Sequence, residues 1–277
     1  MAKLPSLIGV IHLPPLAGSP GAAGHHPAAI LQKAGTAAVR EAQMLSQAGF
    51  EGLILENFGD IPFYKDRVPA ETIASMAVIA AAVRETTRVP LGINVLRNDA
   101  KAALALAAVT GCEFIRVNVL SGVAATDQGM IEGCAAELLR ERDRLGADIA
   151  ILADAHVKHS RSVSSDSMSL AVEEIALRAL ADGVIITGPT TGRSVDGLHL
   201  REASRMARAH KIPLFIGSGA TVESLPELRQ FADGVIVGSA LRAGGRAGAP
   251  LDVKRLKEFV RAFYAKKGTR KKGRTKK

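Results

Sequence analysis

The sequence predicts one α/β domain built as a closed (β/α)8 TIM barrel, and three observations predict it. Eight short β-rich runs recur along the 277 residues. A stretch with helical apolar spacing follows each run. The alternation is regular and fills roughly the 250 residues that such a barrel requires. A doubly wound open sheet is the alternative, although it would not need eight such regular units.

The strands are expected at LIGVIHL (7–13), GLILENF (52–58), PLGINVL (90–96), FIRVNVL (114–120), IAILADAHV (149–157), GVIITG (183–188), PLFIG (213–217) and GVIVG (234–238). Each is nearly continuous in apolar residues and ends in small or polar ones, as strands covered on both faces do. Helices are expected over 27–49, 69–87, 99–110, 169–182, 197–210, 221–232 and 252–265, with Pro or acidic residues near their starts and Gly near their ends. The last of them carries Val253, Leu256, Phe259, Val260 and Phe263 along one side. The connection 121–148 is the irregular one. It is longer than its neighbours and holds polar residues ahead of its helix, which marks a lid or active-site loop.

Composition narrows the class further. The chain is 47% apolar and has no Trp, so its core is built from Ala, Val, Ile and Leu. No apolar run reaches the ~18–20 residues that span a bilayer. The N-terminal run lacks a clear cleavage site and reads as the first strand. Cys112 and Cys134 fall in no ligand spacing and read as reduced thiols of a cytoplasmic protein. The net charge of +9 is local: residues 266–277 hold eight Lys or Arg and no acid, and without them 28 basic residues face 27 acidic ones. The barrel is therefore assigned to 1–265 and a disordered basic tail to 266–277. That tail offers a contact for RNA or an anionic membrane, but no stacking aromatics or reading motif accompany it.

The small residues Gly217, Ser218, Gly219, Gly238 and Ser239 end the seventh and eighth strands, each ahead of a helix. Backbone N–H groups can approach an anion closely there, and the last two loops of a barrel are the usual phosphate cup. Gly188, after the sixth strand, is expected to complete the wall. The bland alternative is that these glycines only permit tight turns.

Strand alternation also separates inward from outward side chains. Leu152, Asp154, His156 and Lys158 share one face of the fifth strand, and Arg116 and Asn118 share one face of the fourth. His12, Glu56, Asn94 and Thr187 lie near other strand ends. Polar groups inside apolar strands are costly unless paired or functional. Their recurrence at one end of the barrel marks a small-molecule site. A structural ion pair between Glu56 and Arg116 is the bland reading of those two. Asp154 and His156 are expected as acid and base. Lys158 or Arg116 is expected to stabilise a developing oxyanion, and Lys158 is alternatively a Schiff-base nucleophile; Glu56 and His12 are expected among the catalytic residues. A divalent metal on Glu56, Asp154 and His156 is a further use of the same end, although the spacing is not a metal motif.

GVIHLPPLAGSP, LENFGD, TDQGMIEGCAAELLRERDRLGA, LADAHVKHS and ITGPTTG together resemble the BtpA/SgcQ family, from about Leu7 to Leu256. The resemblance implies a ribulose-phosphate-binding type of barrel. It also implies kinship with a cyanobacterial protein linked to photosystem I biogenesis, peripheral to the thylakoid, and with members from sugar-metabolism gene clusters. The positions it matches are His12, Glu56, Asn57, Asp127, Gln128, Glu132, Asp154, His156, Lys158 and His159. It marks a site without naming a reaction.

The expected function is an enzyme acting on a phosphorylated sugar or nucleotide-like metabolite by isomerase, epimerase or aldolase chemistry. Asp127 and Gln128 would join the substrate-binding residues as the 121–148 segment closes. The partner is then a phosphorylated small molecule, with a homo-oligomer left open. The alternatives are a non-catalytic biogenesis or assembly factor and a metal-dependent hydrolase or lyase.

Overall fold

The computed structural model describes residues 4–163, 167–188 and 197–265. In chain order the strands are β1 (Leu7–His12), β2 (Gly52–Glu56), β3 (Leu91–Asn94), β4 (Phe114–Val117), β5 (Val123–Thr126), β6 (Gly129–Glu132), β7 (Ala150–Ala155), β8 (Ser160–Ser162), β9 (Gly183–Ile186), β10 (Leu214–Ile216) and β11 (Gly234–Val237). The helices are α1 (Pro27–Ala48), α2 (Ala70–Thr86), α3 (Ala100–Thr110), α4 (Ala135–Leu145), α5 (Met168–Leu177), α6 (Gly197–Ala209), α7 (Leu225–Leu228) and α8 (Val253–Tyr264). Eight strands form a parallel closed barrel in the order β1-β11-β10-β9-β7-β4-β3-β2, and β1 completes it by pairing with both β2 and β11. This is the (β/α)8 architecture expected from the sequence.

Local chemistry accounts for the helix ends. Pro27 opens α1, and its last turn closes on Gly49 in the left-handed region (φ 103°). Ala34, Ala38, Ala42 and Leu45 form its buried stripe. Asp252 caps α8 by accepting from the N–H groups of Lys254 and Arg255. Leu256, Phe259 and Phe263 are the buried side of α8, whereas Val253 is exposed.

Two elements differ from expectation. The helix expected over 221–232 is reduced to the single turn α7. Thr221 and Ser224 exchange side-chain hydrogen bonds with each other's backbone N–H at 2.9 and 3.3 Å, an alternative to helix, and Pro226 restricts the helix start to the residues beside it. The 121–148 connection begins not as irregular loop but as the antiparallel hairpin β5–β6. β8 adds a third strand to it beyond the ends of β4 and β7. The hairpin rests on a small core of Val119, Ala124, Ile131 and Val157.

The barrel interior is packed by Ile8, Val10, Ile54, Phe114, Leu152, Ile185, Phe215 and Ile236. With no Trp, two Phe rings fill its width, and glycines on neighbouring strands make room for them. A Cβ on Gly92 would lie 2.1 Å from the Phe114 ring. The larger core lies between barrel and helices and is made mostly of Ala, Leu, Ile and Val. Among the described residues no helix is long and apolar enough to cross a membrane. The basic run 266–277 lies outside the described residues.

Candidate functional site

Each barrel strand places one residue two positions beyond its interior packing residue, on the same face. Around the ring these are His12, Glu56, Asn94, Arg116, Asp154, Thr187, Gly217 and Gly238. Six polar side chains and two glycines therefore make an upper layer at the carboxyl ends of the strands. In this fold that end is where active sites are built.

Arg116 organises the polar side. It is buried, and its Nε and one terminal nitrogen donate to the two oxygens of Asp154, both at 2.9 Å. The other terminal nitrogen donates to Glu56 Oε1 at 3.3 Å. Asn118 Nδ2 donates to Asp154 Oδ2 at 2.9 Å. Asn94 Nδ2 donates to the Arg116 carbonyl at 3.0 Å and to Asn118 Oδ1 at 3.3 Å. Burial alone would weaken the guanidinium's hold on its proton. The Asp154 and Glu56 carboxylates outweigh that and keep it more basic than an ordinary arginine.

The network also fixes where Asp154 and His156 lie. Both Asp154 oxygens are held by Arg116 and Asn118, and its side chain is fully shielded from solvent. Asp154 thus holds the Arg116 guanidinium through both of its oxygens. His156 leaves the strand alternation because its backbone is left-handed (φ 53°). It lines a cavity against α5 and the three-stranded sheet, which Asn118 and Asp154 also line. Glu56 lines the other cavity, and among the described residues no three His, Cys, Asp or Glu side chains are grouped to hold a metal ion. The donor set proposed for a divalent metal is therefore not assembled.

The other half of the layer is open. One cavity, about 500 Å³ of unfilled space with its open end included, is lined by His12, Glu56, Phe58, Arg116, Lys158 and both glycine loops, 217–220 and 238–240. The two upper-layer glycines let neighbouring side chains pack directly against the backbone of these loops. A Cβ on Gly217 would lie 2.4 Å from the Ile185 methyl, and one on Gly238 would lie 2.9 Å from the His12 ring. Gly219 takes the left-handed conformation (φ 76°). The N–H groups of Gly219, Ala220 and Ser239 have no protein acceptor among the described residues. The Gly188 N–H donates to Ser218 Oγ at 3.2 Å, which ties the end of the sixth barrel strand to the 217–220 loop. Thr187 is a buried link whose hydroxyl donates to the His156 carbonyl at 3.4 Å.

His12 stacks on Phe58 with ring centroids 4.4 Å apart, and its Nδ1 accepts from the Gly248 N–H at 3.3 Å. Its proton then resides on Nε2, the nitrogen beside Gly238. Burial lowers its pKa well below the usual histidine value, and the positive charges of Arg242, Lys158 and Arg116 add to that effect. His12 is thus a neutral donor at neutral pH. Lys158 also has a lowered pKa. Burial is the main cause, the Arg116 and Arg97 charges add to it, and the Glu56 and Asp154 carboxylates oppose it.

Asp127 and Gln128 sit at the turn of the β5–β6 hairpin and do not line the cup cavity. Asp127 is close enough for its charge to act on Arg97 and His159. Asn57 fixes the loop after β3 by accepting from the Leu96 N–H at 2.7 Å. Sequence reasoning passed over three residues. Phe58 walls the cavity. Arg97 donates to the Lys158 carbonyl at 2.7 Å. Arg242 is 1% exposed and ties Glu41 of α1 to the Val10 carbonyl. Arg97 had a signal, a charge directly after a buried strand; Arg242, in a polar loop, had none.

Comparison with known proteins agrees with the fold and sets the lineage. The solved phosphoribosyl anthranilate isomerase of Thermus thermophilus superposes with a TM-score of 0.56 at 11% identity, over 92% of this chain and 97% of that one, a likeness of fold alone. The photosystem I biogenesis protein BtpA of Synechocystis is 44% identical over 257 residues, 93% of this chain and 87% of that protein. An uncharacterised protein of Pyrococcus furiosus is 44% identical over 255 residues, 92% of this chain and 93% of that one. The BtpA family pattern matches residues 3–265, the whole barrel with its upper layer, and the chain belongs to the BtpA family.

Proposed function

We propose that the protein is an enzyme acting on a phosphorylated sugar or nucleotide-like metabolite, by acid–base chemistry of the isomerase, epimerase or aldolase type. The observation that carries this reading is the cavity that two loops, with backbone N–H groups unpaired among the described residues, share with His12, Glu56 and Lys158. The loops at 217–220 and 238–240 take the phosphate. Neutral His12 donates from Nε2 to a substrate oxygen, and Glu56 moves a proton through the oxygen that Arg116 leaves free. Lys158 faces the reacting carbon or its oxygen, and the β5–β6 hairpin covers the mouth. The protein acts in the cytoplasm, and its basic tail contacts RNA or an anionic membrane.

A thermal-shift series with sugar monophosphates tests this. At a hundredfold excess over Kd the ligand contributes about 2.7 kcal/mol of stability. Ser239→Asp places a carboxylate at the cup without filling the barrel and should abolish the shift. Gly217 is unsuited to such a test because a side chain there would meet Ile185. A shift that survives Ser239→Asp unchanged would remove the cup from the reading.

The printed name of the Synechocystis relative favours a second reading, a non-catalytic biogenesis or assembly factor. Under it, sugar phosphates leave the melting temperature unchanged, while deletion of 266–277 releases the protein from a membrane or a partner.

A further inference from the structure

We infer that Lys158 is a Schiff-base nucleophile, and that the substrate is a small phosphorylated aldehyde or ketone whose carbonyl carbon it attacks. This rests on the reading of the cup as a phosphate site and adds a covalent step to it.

Geometry carries the inference. Lys158 lines the same cavity as both glycine loops, His12 and Glu56. A purpose-built turn delivers it there: His156 and His159 take left-handed backbone conformations (φ 53° and 57°) on either side of it, which is strained for non-glycine residues. The turn is held by Arg97, which donates to the Lys158 carbonyl at 2.7 Å, and by Thr187, which donates to that of His156. The amine itself is left without an ion pair among the described residues: Arg116 binds both oxygens of Asp154 and one of Glu56, whose second oxygen stays available to take a proton. A lysine serving only as an anion clamp is better placed where its charge is stabilised. Here burial and two guanidinium groups favour the neutral amine, which is the nucleophilic form.

In the proposed step the Nζ lone pair forms a bond to the carbonyl carbon. The carbonyl π pair moves to oxygen, which takes a proton, while the nitrogen releases one to the Glu56 carboxylate. The remaining nitrogen lone pair then closes a C=N bond as the oxygen, protonated again, departs as water. The net change is amine plus carbonyl plus one proton to iminium plus water. Glu56 returns its proton to the departing oxygen and solvent supplies the other, while neutral His12 Nε2–H gives that oxygen a hydrogen bond.

Trapping tests the step. The full-length protein is incubated with sodium cyanoborohydride and glyceraldehyde 3-phosphate, dihydroxyacetone phosphate or ribulose 5-phosphate, with unphosphorylated dihydroxyacetone as control. Adducts are then located by intact mass and peptide mapping. The expected result is one reduced adduct on Lys158 with a phosphorylated probe, formed well ahead of any on surface lysines. Inorganic phosphate should suppress it. Lys158→Met, checked for folding by circular dichroism, should abolish it, as should Lys158→Arg, which keeps the charge. Thermal stabilisation by these probes with no Lys158 adduct would overturn the covalent step and leave the phosphate cup standing. Neither stabilisation nor adduct would overturn both. Labelling of surface lysines alone, equal in Lys158→Met, would also overturn the covalent step.

Discussion

Arg116 shows how one side chain can decide what its neighbours do. A buried guanidinium needs compensation, and here two carboxylates and a carboxamide-supported shell supply it. Their engagement ties Asp154 to Arg116, and among the described residues Lys158 has no ion-pair partner. Arg116→Met should therefore destabilise the fold by about 3–5 kcal/mol in denaturant titration, because two buried carboxylates lose their partner. A loss under 1 kcal/mol would mean that the network is solvated and does not hold the upper layer together. The same reasoning explains what alternation could and could not reveal. His12, Glu56, Asn94, Arg116, Asp154 and Thr187 were legible as inward residues because a strand's period is fixed at two. His156 was not, because a single left-handed residue ends that period and nothing in the sequence announces it.

Elements are limited by how well their neighbours fit. Gly92 on β3 is the complement of Phe114 on β4, and the ring occupies the space where a Cβ would stand. Gly92→Ala should cost about 1–3 kcal/mol through overpacking of the interior, read as a lowered melting temperature. Gly92→Ala combined with Phe114→Leu should recover part of the loss. Full stability in the single variant would show that the ring has room to move. The eight barrel strands and most helices were readable because each is a long apolar run or stripe bounded by Gly, Pro or a cap. The hairpin β5–β6 was missed. SGVAATDQGMIEG has weak apolar alternation, and its pairing with β8 joins residues far apart in the chain. The short α7 was overcalled because helical spacing is blind to the competing hydrogen bonds of Thr221 and Ser224.

For the whole molecule the half-buried, uncharged His12 couples folding to pH. Its folded pKa is depressed, whereas the unfolded chain takes up that proton near pH 6.5. The unfolded state thus binds more protons as pH falls below about 6.5, so stability declines in that direction and is recovered toward neutrality. Melting temperatures between pH 7 and pH 5 should fall more steeply for the native protein than for His12→Asn. Equal slopes would place the proton uptake elsewhere.

Burial of the amine gives Lys158 a similar whole-molecule dependence, since its environment comes from β2, β4, β7 and the loop after β3 together.

What the sequence determined by itself was the repeating unit and the end of the barrel at which polar and small residues gather, because both follow from local periodicity and steric size. The tertiary structure alone decided which of those residues share a cavity. Ring closure brings β1 against β11, so His12 meets Gly238 across 226 positions of chain. Whether a carboxylate is a base or a strut depends on the partner that closure places beside it, and pairing of that kind has no signature along the chain.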